Sequence, residues 1–268
     1  MTLRNLSVTA CATVLVCFLG AAGALGVTVG VTVGVTTVSA AELVTLATMA
    51  VTGALDPLVA EYQKESGHTV KVTYDTGPNL ARRVAGGEAA DVLIAPAAVV
   101  EQAIRDGRAV AASRVTIGQV GVGLAVRSGG RIPDISSTEA LVQALLQADA
   151  VFYSQGTSGV YVGTLFQTLG IADRIKAKTT QVANGQIVVE RVIADRGNAV
   201  GFTMVSEVKL MEPKGARLTG ALPAAIQNYT TYTAAVMTSA RDAAAARGLL
   251  AYITRPAARA LFTATGWQ

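Results

Sequence analysis

Residues 151–163 read Val151-Phe-Tyr-Ser154-Gln-Gly156-Thr157-Ser158-Gly159-Val-Tyr-Val-Gly163. A short apolar run enters a loop of hydroxyls and glycines, and apolar residues at helical spacing follow from about Val160 to Leu169. Such a loop sets bare backbone N–H groups and small hydroxyls at a helix N-terminus, where the helix dipole favours an anion. A second strand, loop and helix of the same kind occupies Val70–Val84. Either loop alone reads as a tight turn with an N-cap. Their recurrence after strands points to a ligand held at Thr157, Ser158 and Gly159 on one side and at Thr76, Gly77 and Asn79 on the other.

Working outward, the chain alternates strands and helices. Leu43–Ala47 is expected as a strand, followed by the loop Thr48-Met-Ala50-Val-Thr52, whose last hydroxyl opens the next helix. Gly53–Ser66 carries Leu55, Leu58, Val59 and Tyr62 at helical spacing and is closed by Gly67. His68–Tyr74 alternates as a strand, Asn79 reads as the N-cap of Leu80–Ala85, and Asp91–Ala95 and Ala97–Gly107 form the next strand and helix. Gln119–Val126 is a longer strand. A helix from near Ser137 to Ala148, strand Val151–Tyr153, strand Lys178–Val182, helix Gln186–Asp195 and strand Ala199–Met204 follow. Leu222–Ala225 and Tyr232–Met237 read as extended, and Arg241–Tyr252 and Arg255–Phe262 as helices, the last capped by Thr254 and opened by Pro256.

This order predicts an α/β protein of two lobes, each a mostly parallel sheet flanked by helices. The first lobe begins at residues 41–124, the second spans 125–220, and 221–268 return a strand and the C-terminal helices mainly to the first. Ligands of such sheets sit at the carboxyl ends of strands, so the cleft between lobes is the expected site.

The first 40 residues contain one charged residue, Arg4, are apolar or small from Val8 to Val38, and end in the small-x-small pattern Val38-Ser39-Ala40. They are expected to be a secretory signal removed before Ala41, an uncleaved membrane anchor being the rival reading. Both cysteines, Cys11 and Cys17, lie in this segment. Against 22 Lys and Arg stand 18 Asp and Glu, and the charges are interspersed, so nothing points to nucleic acid. With His68 as the lone histidine and no cysteine after residue 40, neither a transition-metal site nor a Ser-His-Asp triad is expected. Gly118-Gln-Val-Gly-Val-Gly123 reads as a glycine-containing strand rather than a dinucleotide loop.

Three stretches resemble the periplasmic molybdate-binding protein family, which has the type II substrate-binding-protein fold. They are Ala54-Leu-Asp-Pro-Leu-Val-Ala-Glu-Tyr-Gln-Lys-Glu-Ser-Gly-His68 with Asn79–Ile94; Leu169-Gly-Ile-Ala-Asp-Arg-Ile-Lys176 with Asn184-Gly-Gln186 and Asn198-Ala-Val-Gly-Phe202; and Gly248–Trp267. The resemblance covers nearly all of the chain after residue 40. It implies an oxyanion held without counter-charges by hydroxyls and backbone N–H groups from both lobes. Carried over by position, the serine of the first loop falls on Ala50, with Thr52 two residues on, and that of the second on Thr76 or Gly77. The donors of the second lobe fall in Thr157-Ser158-Gly159 and near Gln186, and a tyrosine falls on Met204. Ala50 and Met204 bring no side-chain donor. Each missing donor to a buried anion costs on the order of 1–3 kcal/mol, so a small carboxylate is as compatible with this set as molybdate.

The expected function is therefore that of an exported, monomeric solute-binding protein of an ABC importer. It would close two lobes on a small anion and dock on a permease in the inner membrane, with no cofactor and no covalent chemistry. The alternatives are a hydrolase or isomerase on the same scaffold, and a sensor that binds without transport.

Overall fold

The computed structural model describes residues 40–268. The leader expected over residues 1–40, with its cysteines and cleavage pattern, lies outside them apart from Ala40. Among the described residues no helix is long and apolar enough to cross a membrane.

Three strand–helix pairs open the fold: β1 (Glu42–Thr48) with α1 (Thr52–Ser66), β2 (Thr69–Asp75) with α2 (Gly77–Ala85), and β3 (Val92–Pro96) with α3 (Ala97–Arg105). The long β4 (Val115–Arg127) follows. Next come α4 (Thr138–Gln147), β5 (Ala150–Ser154), α5 (Thr157–Thr168), α6 (Ala172–Ile175), β6 (Thr179–Val182), α7 (Gly185–Ala194), β7 (Ala199–Met204) and α8 (Val205–Met211). β8 (Ala216–Ala221), β9 (Tyr229–Val236), α9 (Ala243–Ile253) and α10 (Pro256–Ala264) complete it. α1 forms because Leu55, Leu58, Val59 and Tyr62 recur on one face and are buried. It stops at Gly67, whose left-handed φ of 74° lets its N–H close on the Gln63 carbonyl.

The strands pair in the order β2-β1-β3-β9-β4-β7-β5-β6, with β8 beside β4. β2, β1 and β3 are parallel, as are β7, β5 and β6, whereas every pairing of β9 and β4 is antiparallel. The parallel character expected of the sheet thus holds at its two ends, and antiparallel strands join them. β1 alternates its contacts. Leu43 enters a core with Leu55, Leu58, Leu249 and Phe262 on one face, and Leu46 enters another with Leu80, Leu93 and Val100 on the opposite face. At the far end Leu124, Leu141, Leu145, Phe166 and Phe202 build a separate core. Each such side chain contributes about 1.5–3 kcal/mol on burial.

β4 links the two ends. Residues Val115–Gly121 pair with β9, while residues from Val122 onward pair with β7 and β8. The chain returns between β8 and β9. At that crossing the Gln227 side chain accepts from the Val122 N–H at 2.9 Å and donates to the Val122 carbonyl at 3.0 Å, alongside the main-chain bonds of Val122 to the Asn228 carbonyl and from the Leu222 N–H.

Some local expectations fail for identifiable reasons. Asn79 does not cap α2. The helix starts earlier because Thr76 takes the N-cap, its hydroxyl accepting from the Asn79 N–H, and Pro78 is preset for the first turn. Thr52 caps nothing, since its hydroxyl donates back to the Met49 carbonyl. The Thr254 hydroxyl likewise bonds the Leu250 carbonyl of the preceding helix, and α10 begins after Arg255 with no side-chain cap. The extended segment expected at Leu222–Ala225 lies earlier, as β8. α8 is a further element, short and turned inward by its polar residues as well as its apolar ones.

Candidate functional site

The carboxyl ends of β1, β2, β5 and β7 converge on one pocket. Thr48, Met49 and Ala50 reach it from the turn after β1, and Thr76 and Gly77 from the start of α2. Ser154, Gly156, Thr157 and Ser158 form the facing wall at the start of α5, with Gly185 from α7 beside them. Met204, Glu207 and Tyr232 close it from β7, α8 and β9. The cavity measures only about 20 Å³, room for roughly one water. Its walls touch: a Cβ added to Gly77 would lie 2.5 Å from the Thr157 hydroxyl oxygen across the pocket. Glycine is required there by close approach, not by its backbone angles. A larger groove of about 290 Å³ lies elsewhere, along Arg131, Asp134 and Gln147, but no strand end points into it.

The helix starts at the pocket differ in what they leave unbonded. α7 is capped by Asn184, whose Oδ1 accepts from the Ile187 N–H at 3.0 Å. α2 spends one of its N–H groups on Thr76, and Pro78 has none. α5 begins at Gly156, which has no side chain to cap it. Among the described residues the N–H groups of Thr157, Ser158 and Gly159 have no acceptor. Ser154 instead accepts from the Gly156 N–H at 3.1 Å and fixes the turn. Three orphan donors at a helix N-terminus, with the Thr157 and Ser158 hydroxyls beside them, form an uncharged anion cradle.

One acid shares the pocket. Glu207 is 9% exposed, and its Oε2 accepts from the Thr203 hydroxyl and, at 3.2 Å, from the Met204 N–H. No ion pair reaches it among the described residues. Burial pushes its carboxyl above the usual range, and the two hydrogen bonds oppose the shift without cancelling it. A side chain at Gly185 would collide with this carboxyl and with the Thr203 hydroxyl. The Tyr232 phenol is held well above its ordinary value, first by burial and then by the charge of Glu207, so it stays a neutral donor. The Ser206 hydroxyl donates to the Ala50 carbonyl at 2.9 Å, tying α8 to the turn after β1.

Of the residues singled out from the sequence, Ala50, Thr76, Gly77, Thr157, Ser158 and Met204 line the pocket. The other four do not. Thr52 is occupied with Met49, and the Asn79 side chain bonds Asp75 and Arg82. Gly159 packs its α-carbon against the Ser154 carbonyl, leaving no space for a side chain, and Gln186 donates to Glu190. The sequence reading missed Thr48, Met49, Ser154, Gly156, Gly185, Glu207 and Tyr232. Thr48 and Ser154 end strands that it recognised, which was signal enough. Nothing local marks Glu207 or Tyr232, whose place depends on packing distant in sequence.

Residues 43–268 match the family of bacterial extracellular solute-binding proteins, and the chain belongs to that family. Aconitate isomerase from Pseudomonas sp. is 30% identical over 227 residues, covering 82% of this chain and 85% of its own. Among solved structures, the periplasmic molybdate-binding protein of Azotobacter vinelandii superposes with a TM-score of 0.70 at 18% identity, over 84% of this chain and 98% of that one. PEB3 of Campylobacter jejuni with L-phospholactate bound superposes at 0.64 and 13% identity, over 84% and 99%. These structural likenesses establish the two-lobed α/β fold of periplasmic binding proteins.

Proposed function

We propose that this chain, as a member of the extracellular solute-binding family, captures a small anion bearing carboxylates and delivers it to the permease of an ABC importer. The observation that carries the reading is the uncapped start of α5, where three N–H groups have no acceptor among the described residues, beside a pocket lined by hydroxyls and by no Lys or Arg. A helix start of this kind neutralises an oxyanion through hydrogen bonds and its dipole. Carboxylate is favoured over molybdate because Ala50 and Met204 cannot donate and because Glu207 stands in the lining. A buried carboxyl without a counter-charge tolerates a ligand that shares a proton with it better than a fully ionised tetrahedral dianion. The relative named aconitate isomerase supports an unsaturated tricarboxylate as the ligand class.

A ligand of that size enters only when the walls part. The strand crossing at Val122 and Gln227 is the natural hinge, and differential affinity for the closed form supplies the drive. Thermal melting of the chain beginning at Ala41 tests the reading against trans-aconitate, citrate, phosphate, sulfate and molybdate. A rise in melting temperature with a carboxylate and none with molybdate is expected. A response to molybdate alone, or to none of the panel, would overturn it.

A second reading, that the bound ligand is also isomerised, is favoured by Glu207. Solute capture needs no buried, unpaired acid in the pocket wall, whereas moving a proton on carbon does.

A further inference from the structure

We infer that Glu207 is the catalytic base of such an isomerase: its Oε1 takes a proton from the methylene carbon of a bound unsaturated tricarboxylate and returns it to the far end of the same allylic system. The inference rests on the second reading above and names the group that performs it.

Five observations converge on this residue. Among the described residues Glu207 is the lone carboxylate lining the pocket. Both of its hydrogen bonds, from the Thr203 hydroxyl and the Met204 N–H, fall on Oε2. They hold Oε2 in place and leave Oε1 without a hydrogen-bond partner among the described residues, free to meet a ligand. The absence of side-chain atoms at Gly185 lets the start of α7 close over the carboxyl and shield it from water. Among the described residues no Lys or Arg pairs with it, so no salt bridge must break before it accepts a proton. Burial makes it a stronger base than a carboxylate in water, which is the direction that proton abstraction from carbon requires.

The opposite wall supplies the other half of the chemistry. Removing a proton next to a carboxylate pushes charge onto the carboxylate oxygens, and that charge must be met by donors already in place. The unbonded N–H groups of Thr157, Ser158 and Gly159 lie at the start of α5, and the Thr157 and Ser158 hydroxyls reach the pocket itself. The step balances without a co-reactant. The methylene C–H bond breaks and an O–H bond forms on Glu207. The released electron pair becomes a new C=C bond while the old one opens toward the former vinylic carbon. That carbon takes the proton back as the Glu207 O–H breaks. The net change is migration of the double bond, with its geometry set by the closed pocket.

The test uses trans-aconitate as probe. Calorimetry gives its Kd, and proton NMR in D₂O follows the methylene and vinyl signals for cis-aconitate and for deuterium entry. Wild-type protein is expected to convert the probe. Glu207→Gln, nearly isosteric and able to keep the bonds from Thr203 and Met204, is expected to bind within about threefold of wild type and to lose about 10³-fold or more in turnover. Glu207→Asp, which keeps the base but withdraws it, should recover part of the rate, and its melting curve guards against misfolding. Unchanged turnover in Glu207→Gln overturns the assignment. Binding by wild type with neither conversion nor deuterium entry overturns the isomerase and this assignment together while leaving capture intact. No binding at all overturns the proposed function as well.

Discussion

The starts of α2 and α5 face each other across the pocket and are built in opposite ways. α2 satisfies itself: Thr76 accepts from the Asn79 N–H, Asp75 accepts from the Thr76 N–H and the Asn79 amide, and Arg83 pairs with Asp75 at 3.3 Å. α5 has only Gly156 in the capping place, and its turn is held by the Ser154 hydroxyl, which accepts from the Gly156 N–H, and by Gly159 pressed on the Ser154 carbonyl. A helix that caps itself has little left to offer a ligand. A helix held by backbone packing can leave its donors unbonded, because its position does not depend on them. The two hydroxyl loops look alike in sequence, yet one bonds its own donors and the other leaves three of them without an acceptor among the described residues.

The comparison can be broken at its strongest point first. Gly159→Ala sets a Cβ into the Ser154 carbonyl, a backbone atom that cannot turn aside. We expect a loss of roughly 3 kcal/mol or more, read by chemical denaturation. Gly163→Ala, one turn on, meets only Tyr153 at ordinary contact distance and should be nearly neutral.

The acid between the walls gives the next effect. Its raised value in the folded protein means that folding binds a proton above the ordinary carboxylate range. The stability tied to the protonated form is therefore full below that range and is lost as pH rises through the raised value, with a slope of at most about 1.4 kcal/mol per pH unit. Denaturation midpoints across pH should show this fall, and Glu207→Gln should flatten it.

Making α5 resemble α2 sharpens the contrast. Gly156 has an extended backbone that accepts any residue, with φ −72° and ψ −177°. Gly156→Ser supplies a cap that competes with the ligand for the same N–H groups. Calorimetry should show about tenfold weaker binding, roughly 1.4 kcal/mol, while the melting temperature holds or rises slightly. The converse change is smallest. Thr76→Ala removes a cap whose bond is long, at 3.4 Å, and should cost about 0.5–1 kcal/mol by denaturation with little change in affinity.

Much of the fold was legible because its information is local. Apolar spacing in α1, the apolar run of β3 and the mainly apolar run of β7, and glycine after helices each declare an element without reference to the rest. The starts of α4 and α7 were legible near Ser137 and after Asn184, the residues that cap them. At Thr76 and Asn79 two cap formers lie three residues apart, and Pro78 decides in favour of the earlier one. The site was legible on its loop side, where hydroxyls and glycines follow strands. Its floor was not. Tyr232 reaches the pocket because β9 inserts between β3 and β4, opposite Pro96 and Gly118. Glu207 does so because a seven-residue helix turns back beneath β7. Neither placement is written in the neighbouring residues.

The amide of Gln227 stitches together the two threads of chain that pass from one end of the sheet to the other. On the proposed closure, two threads that cross side by side would let the molecule bend along a single line, much as a book turns about its spine. Apparent affinity is the intrinsic affinity multiplied by the fraction of molecules in the binding-competent shape. A change at Gln227, which contributes nothing to the pocket lining, would therefore retune how tightly the protein holds its cargo and how readily it lets go.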